Sequence, residues 1–196
     1  NLFVQSSVNS FDHVLVEGNS AAANADPLVY DMMAAFYTAC SSFIAQNFGA
    51  RKKKRILQTY LICLFYSFIT SLVLGVGIYL ARYPFLYLFT SDKAVVEAGI
   101  TRLSIMALSY SASAFMDASI AASRGLGKTA VPTFVVVMGS CVFRIIWIYT
   151  IFAYFHTIQS LYILYVFSWG ITAIAENIYF FHVYRHTLTG KTESHF

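Results

Sequence analysis

The sequence is poor in charged residues. Only 11% of its 196 residues are Asp, Glu, Lys or Arg, while 58% are hydrophobic and 17% are aromatic. A soluble globular domain carries about 25% charged residues, so this chain has too little polar surface to face water on all sides. The composition excludes an ordinary water-soluble domain and predicts a membrane protein.

Cysteine is also scarce, and the sequence lacks the common motifs of enzymes and metal sites. Cys40, Cys63 and Cys141 lie singly within apolar runs, without the paired spacing of zinc ligands or of a disulfide framework. We expect all three to be small buried hydrophobic residues. Neither HExxH nor a nucleophile elbow occurs. The sequence therefore predicts a protein that is not an enzyme and holds no metal.

The stretch RGLGKT looks like the end of a phosphate-binding loop but does not complete one. That motif requires a glycine five residues before Gly127, where Ala122 stands, and it follows a strand rather than an apolar helical run. Gly125 and Gly127 are instead predicted to form a tight turn, with Pro132 in the first turn of the next helix.

Long hydrophobic runs fill most of the chain, and about 20 apolar residues are enough to cross the hydrocarbon core as a helix. The runs cover residues 1–16, 20–48, 56–81, 94–123, 129–155 and 158–184. The first run begins at Asn1 without an initiating methionine, so we expect a fragment that starts inside a helix. We predict an all-α polytopic membrane protein, a six-helix transmembrane bundle whose first helix is truncated.

Basic residues are concentrated on alternate connections between these runs. Nine of the thirteen Lys and Arg residues lie at 51–55, at 124–128 and near the C-terminus, whereas Arg82 and Lys93 lie on the opposite side. The positive-inside rule predicts that the turns 51–55 and 124–128 and the C-terminus are cytoplasmic. The run RKKKR, between two spans, is expected to anchor the topology and to contact anionic lipid rather than nucleic acid.

Five short stretches carry a resemblance to a known family. They are GNSAAAN, QNFGARKKKRI, FLYLFTSDKAVVEAG, SRGLGKTAVP and FRIIWI. In this order and spacing, from about Gln5 to Arg185, the chain resembles the multidrug and toxic compound extrusion (MATE) transporters, which have two six-helix lobes. The resemblance implies that residues 1–186 form the second (C-terminal) lobe, that 187–196 form a cytoplasmic tail, and that the N-terminal lobe is missing.

The resemblance also implies a function. It is that of a secondary active transporter of the plasma (inner) membrane, a cation- or proton-coupled antiporter that exports organic cations and drugs by alternating access. The implied partners are the lipid bilayer, small amphiphilic or cationic substrates, and the missing N-terminal lobe. No cofactor is implied beyond a coupling ion, Na⁺ or H⁺, and no nucleic acid.

Two alternatives to this function stay open. A flippase of lipid-linked sugars, from the same superfamily, tends to line its cavity with several basic residues, whereas Arg144 is the deep basic residue here. A non-transporting membrane scaffold subunit would have apolar or small helix faces throughout, whereas this sequence has polar stripes.

Four ionisable residues lie deep in the apolar runs: Asp31, Asp117, Arg144 and Glu176. A charge in hydrocarbon costs about 2.5–3.5 kcal/mol on insertion scales, so each is a functional candidate that needs a partner. Counted along the helices, Asp117 and Glu176 lie at one depth. We predict that Asp117, Glu176 and Asp31 are candidates for cation or proton coupling, and that Arg144 is their ion-pair partner. Structural pairing, or for Asp31 solvation at the interface, is the alternative.

Polar residues also recur at helical spacing. On the last run, Trp169, Thr172, Glu176 and Tyr179 share a face where two aromatic rings flank an acid, an arrangement suited to a flat cation. Further candidates for lining a cavity are Gln5, Asn9, Asp12, Asn24, Thr38, Ser42, Gln46 and Ser113. Hydrogen bonds between helices are their alternative role.

The family resemblance is incomplete at the coupling site. In that family an acidic cation-coordinating residue lies eleven positions before the Arg of the RG turn, and here Ser113 occupies that position. Asp117 lies one turn further along the same face, and no acid near Phe3 matches the family's acid early in helix seven. Coupling is therefore expected either at Asp117 or in the missing lobe.

Overall fold

The structure, a computed structural model, describes residues 2–189, apart from the side chains at 2, 108 and 187–189. This part of the chain is helical and contains no strand. The helices are α1 (Leu2–Val8), α2 (His13–Ala23), α3 (Ala25–Gly49), α4 (Lys53–Leu80), α5 (Arg82–Tyr87), α6 (Lys93–Gly125), α7 (Ala130–Phe155) and α8 (Ile158–Thr189). Four spans, α2–α3, α4, α7 and α8, are long and apolar enough to cross a membrane, and the bent helix α6 makes a fifth. The predicted all-α polytopic membrane fold is confirmed.

The first helix is shorter than predicted. It ends at Val8 rather than at residue 16, and a turn leads to Asp12. The Asp12 carboxylate accepts a hydrogen bond from the backbone N–H of His13 at 2.9 Å and caps the N-terminus of α2. Asp12 therefore does not share a helix with Gln5 and Asn9, whose side chains hydrogen-bond to each other at 3.2 Å. The apolar pattern of residues 1–16 predicted one helix and gave no weight to Asp12 as a helix cap.

The break between α2 and α3 lies beside the half-buried Asp26. Pro27 has no amide proton to donate to the carbonyl of Ala23, so the helical hydrogen-bond ladder is interrupted near Asn24. The next helix restarts at Ala25 and carries Asp26 in its first turn. A single long span, from His13 to Gly49, thus contains a joint that turns Asp26 toward α6.

Helix α6 is the centre of the lobe, because it packs against α2, α3, α4 and α8. Its buried face is rich in Ala and Ser, and small side chains let membrane helices approach closely. One such close approach is at Gly75 of α4, where an added Cβ would collide with the carbonyl oxygen of Ala107. Immediately after Ala107 the axis of α6 bends by 44°.

Replacing Gly75 with alanine is expected to destabilise the lobe. Because the new methyl group would meet backbone rather than a flexible side chain, the free energy of unfolding should fall by about 1–3 kcal/mol. Gly77→Ala is the matched control, since no atom lies within 4 Å of its added Cβ. Thermal unfolding of both variants in detergent measures the difference. Equal midpoints would mean that α4 and α6 do not touch here.

The connection between α6 and α7 is the tight turn that the glycines predicted. Gly127 has a φ of 75°, in the left-handed region that favours glycine, and Pro132 is buried in the first turn of α7. Within α7, two π-helical segments, Met138–Val142 and Ile148–Phe152, flank the short stretch that carries Arg144.

The cysteine prediction is correct for two residues and wrong for the third. Cys40 and Cys63 are buried in the cluster between α3, α4, α6 and α8, whereas Cys141 is exposed. Cys141 lies on the first π-helical segment of α7, and the apolar sequence around it does not specify which face turns outward.

The outer surface of the lobe is apolar along its helices and basic at one connection. Large apolar side chains are exposed on α4 in particular: Leu61, Ile62, Phe65, Val73 and Leu80. Such a surface is stable against lipid rather than water. At the turn into α4, the basic residues 51–55 are all exposed, and the Tyr184 hydroxyl of α8 donates to the carbonyl of Lys53 at 3.3 Å.

Candidate functional site

A central cavity of about 370 Å³ lies between α3, α6, α7 and α8. Three carboxylates and one guanidinium border it: Asp26, Asp31, Asp117 and Arg144. Four aromatic side chains complete the polar part of its wall: Tyr30, Tyr110, Tyr165 and Trp169. Three methionines supply adaptable apolar surface: Met33, Met106 and Met116. Acid and aromatic faces together make a wall suited to an organic cation.

A second cavity, of about 490 Å³, lies between α3 and α6 toward the Gly125 end of α6. Thr38 and Ser42 line it, as does Arg124, so two of the predicted cavity-lining residues do border a cavity. Tyr30 and Asp117 are the residues that border both cavities. Asp117 therefore stands at their junction, and its Oδ2 atom is buried without a hydrogen-bond partner among the described residues.

An ion pair between Asp26 and Arg102 is the main feature that the sequence did not reveal. The buried Arg102 donates from Nη2 to Asp26 and from Nη1 to the Oδ1 of Asn19 at 2.7 Å. The Tyr110 hydroxyl donates to the other Asp26 oxygen at 2.6 Å. Since Asp26 also borders the central cavity, the pair belongs to the candidate site. In the sequence, Asp26 lies near one end of the apolar run 20–48, and an acid in such a position is expected at the membrane interface.

Arg144 lies on the α7 side of the central cavity. Its Nε donates to the Ser168 hydroxyl at 3.2 Å, and its guanidinium lies over the ring of Tyr165, 4.5 Å from the ring centre. The Ser168 hydroxyl in turn donates to the carbonyl of Gly139 at 2.8 Å. These contacts hold the guanidinium of Arg144 against α8. Its predicted role as ion-pair partner of the membrane acids stays a prediction.

The predicted stripe on α8 divides between the cavity and the core. Trp169 borders the central cavity, whereas Thr172 is buried beside Gly139 of α7. Glu176 is 0% exposed and borders neither cavity, and both of its oxygens lack a hydrogen-bond partner within residues 2–189. Tyr179 is half-buried against the apolar cluster of α3, α4, α6 and α8.

The remaining predicted residues lie at several places. Ser113 and Asp31 border the central cavity, where the Ser113 hydroxyl donates to the carbonyl of Tyr110 at 2.8 Å. Asn24 borders a separate cleft of about 430 Å³ beside α2 and α6. Gln5, Asn9, Asp12 and Gln46 are exposed. The predicted tail, residues 187–196, lies outside the described residues except for the helical backbone of 187–189.

Replacing Glu176 with methionine is expected to stabilise the lobe. A buried polar group without a hydrogen bond costs about 1–3 kcal/mol, and an apolar side chain of similar length removes that cost. The free energy of unfolding should rise by about that amount, as measured by denaturation in detergent. Glu97→Met on exposed α6 surface should change it by less than about 0.5 kcal/mol. A less stable Glu176→Met protein would contradict the prediction.

These features define one lobe of a multi-pass membrane transporter: packed membrane helices around a cavity bordered by acids, an arginine and aromatic rings. The sequence pattern of the family described as MatE matches residues 1–150, and the chain belongs to that family. No curated protein has a sequence that matches this chain.

Solved structures of transporters have the same fold. A mutant of the MATE transporter VcmN from Vibrio cholerae matches with a TM-score of 0.84 at 19% identity, covering 94% of this chain and 42% of that one. A MOP superfamily transporter from Pyrococcus furiosus matches with a TM-score of 0.87 at 18% identity, covering 97% of this chain and 43% of that one. The chain therefore spans less than half the length of these transporters.

Proposed function

We propose that this lobe belongs to a cation- or proton-coupled antiporter that exports organic cations by alternating access. Na⁺ or H⁺ would bind at Asp117, with Glu176 and Asp31 as further candidates, and the substrate would occupy the central cavity. The proposed location is the plasma (inner) membrane, with the turns 51–55 and 124–128 and the C-terminus in the cytoplasm. The missing N-terminal lobe would complete the transport path.

The position of Asp117 supports this proposal most directly. One carboxylate borders both cavities, so an ion bound there changes the charge that each cavity presents. Binding of a cation or proton at Asp117 removes that charge and favours whichever helix packing places the acid in apolar surroundings. The position of one acid at the junction of two cavities therefore supports Asp117 as the proposed coupling residue.

The charge around the central cavity favours cationic over anionic substrates. Asp26, Asp31 and Asp117 border it together with Arg144, and Arg102 is already paired with Asp26. The structure from Pyrococcus furiosus carries the description that reverse polarity of its binding pocket suggests a different function. A flippase of lipid-linked sugars needs positive charge for the phosphates, which this lobe provides mainly at Arg144.

Gradient-driven transport by the full-length protein tests the proposal. Proteoliposomes are loaded with a fluorescent organic cation such as ethidium, and an inward Na⁺ or H⁺ gradient is imposed. Efflux that depends on one of these gradients is the expected result. No gradient-dependent efflux, together with movement of a labelled lipid-linked sugar between leaflets, would overturn it in favour of the flippase. Neither activity would overturn both and favour the scaffold subunit.

A further inference from the structure

We propose that Asp26 is a positioning residue that couples the charge inside the central cavity to the bend of α6. The proposal rests on the proposed function, because it takes the occupant of the cavity to be a cation. It assigns a role to an acid that neither the sequence pattern nor the similarity to other transporters marks.

Asp26 holds the two halves of α6 on either side of the bend. Arg102 lies in the half before Ala107, and its Nη2 atom donates to the Oδ2 of Asp26. Tyr110 lies in the half after the bend, and its hydroxyl donates to Oδ1 at 2.6 Å. One carboxylate of α3 therefore bridges the half of α6 before the bend and the half after it, between which the helix is bent by 44°.

In the half of α6 before the bend, the positive charge of Arg102 is neutralised by the Asp26 carboxylate. The Arg102 side chain is 9% exposed, and its ion pair within residues 2–189 is with Asp26. Asn19 of α2 accepts from Nη1 at 2.7 Å but brings no negative charge. A buried guanidinium that loses its counter-ion is strongly destabilised in that position. Weakening the pair therefore favours movement of Arg102, and with it of this half of α6.

The other side of Asp26 faces the cavity. Asp26 and Tyr110 both border the central cavity, while Arg102 is not among the bordering residues and lies behind the carboxylate. The Asp26 side chain is 37% exposed, so a cation in the cavity can approach it directly. Such a cation competes with Arg102 for the negative charge of this carboxylate, whose Oδ2 atom Arg102 contacts. Binding of a cation in the cavity therefore changes the bend of α6 through the Asp26 side chain.

The bend can be measured as a distance between two spin labels. Lys93→Cys places one label at the start of α6, and Lys128→Cys places the other three residues beyond its end at Gly125. Both positions are exposed, and the background is the full-length transporter without its cysteines. A straight helix of 33 residues spans about 50 Å, and a 44° bend near its middle shortens that span by about 4 Å. Pulsed electron paramagnetic resonance detects a change of this size.

Two sets of measurements test the proposal, the first without ligand. Asp26→Asn is expected to lengthen or broaden the distance toward the straight value, and Tyr110→Phe to do so partially. Asp31→Asn is the comparison variant, because it removes a negative charge from the wall of the same cavity. The Asp31 side chain is exposed, and no ion pair or hydrogen bond joins it to α6 among the described residues. A bend unchanged by Asp26→Asn, or changed equally by Asp31→Asn, would overturn the proposal.

The second set adds tetraphenylphosphonium, a permanent organic cation. The distance in the wild-type protein should shift by up to about 4 Å at saturation. The shift should persist in Glu97→Gln, at an exposed position outside the cavity, and it should disappear in Asp26→Asn. A wild-type distance that does not move overturns the coupling. Failure of the transport proposal is recognised separately, because it would abolish gradient-driven efflux while leaving the ligand-free effect of Asp26→Asn intact.

Discussion

Asp117→Asn in the full-length transporter is expected to lower gradient-driven efflux of an organic cation at least tenfold. Asp117 borders both cavities, and its Oδ2 atom lacks a partner among the described residues, so this oxygen is available to a coupling ion. A hydrogen bond or ion contact to a charged group contributes about 1.5–3 kcal/mol, which corresponds to a factor of about ten or more in binding. Initial efflux rates from proteoliposomes under a fixed Na⁺ or H⁺ gradient measure the loss.

The control for this substitution lies on the same helix. Glu97→Gln removes one negative charge from an exposed position at the other end of α6, and it should leave the efflux rate within about twofold of wild type. Glu176→Gln in combination with Asp117→Asn should remove what coupling remains. Full efflux in the double variant would show that the coupling ion does not bind in this lobe, and would place its site in the missing one.

Asp26→Leu is expected to be among the most destabilising single substitutions in the lobe. It leaves the Arg102 guanidinium buried without a counter-ion, and removal of one partner from a buried pair costs about 3–5 kcal/mol. Arg102→Met should cost less, because the carboxylate that it leaves behind is 37% exposed and borders the cavity. Denaturation of the full-length protein in detergent gives the ranking.

The double variant distinguishes the stability that the intact ion pair contributes from the penalty of leaving one of its charges buried alone. With Asp26→Leu and Arg102→Met together, no buried charge is left unpaired, so most of the stability lost in Asp26→Leu should return. A smaller loss of stability should remain, because Asn19 and Tyr110 no longer make their hydrogen bonds to Arg102 and Asp26. Simple addition of the two single effects would contradict the ion pair, since independent residues do not compensate each other.

Hydropathy predicted the spans well because it depends only on summed transfer energies. The charge-free run at 56–81 is helix α4 almost to its bounds, and the run at 158–184 is α8 with a few more residues at its end. It failed at residues 1–16, where α1 ends at Val8 and a new helix begins after the capping carboxylate of Asp12. Neither a capping bond nor a π-helical turn changes average hydropathy.

The site was harder to predict than the spans, because a depth along a helix does not give the neighbour that a side chain meets. Trp169 and Glu176 lie nearly above one another on α8, yet Trp169 borders the central cavity and Glu176 is enclosed in the core. The bend of α6 and the joint before α3 decide which faces meet a cavity. Both depend on contacts between distant residues, and Asp26 with Arg102 is the clearest case.

The central place of α6 also has a consequence for how the lobe is made. The residues of α2, α3 and α4 precede α6 in the chain, so during synthesis they enter the membrane before the helix against which they pack. Until Arg102 and Tyr110 emerge, Asn19 and Asp26 lack the partners that they have in the finished lobe. A nascent chain that ends before residue 93 therefore leaves these polar groups without their partners, and an unsatisfied polar group in lipid is costly. Helix α8 also follows α6 in the chain, so it packs against α6 only after the contacts with α2, α3 and α4 can form.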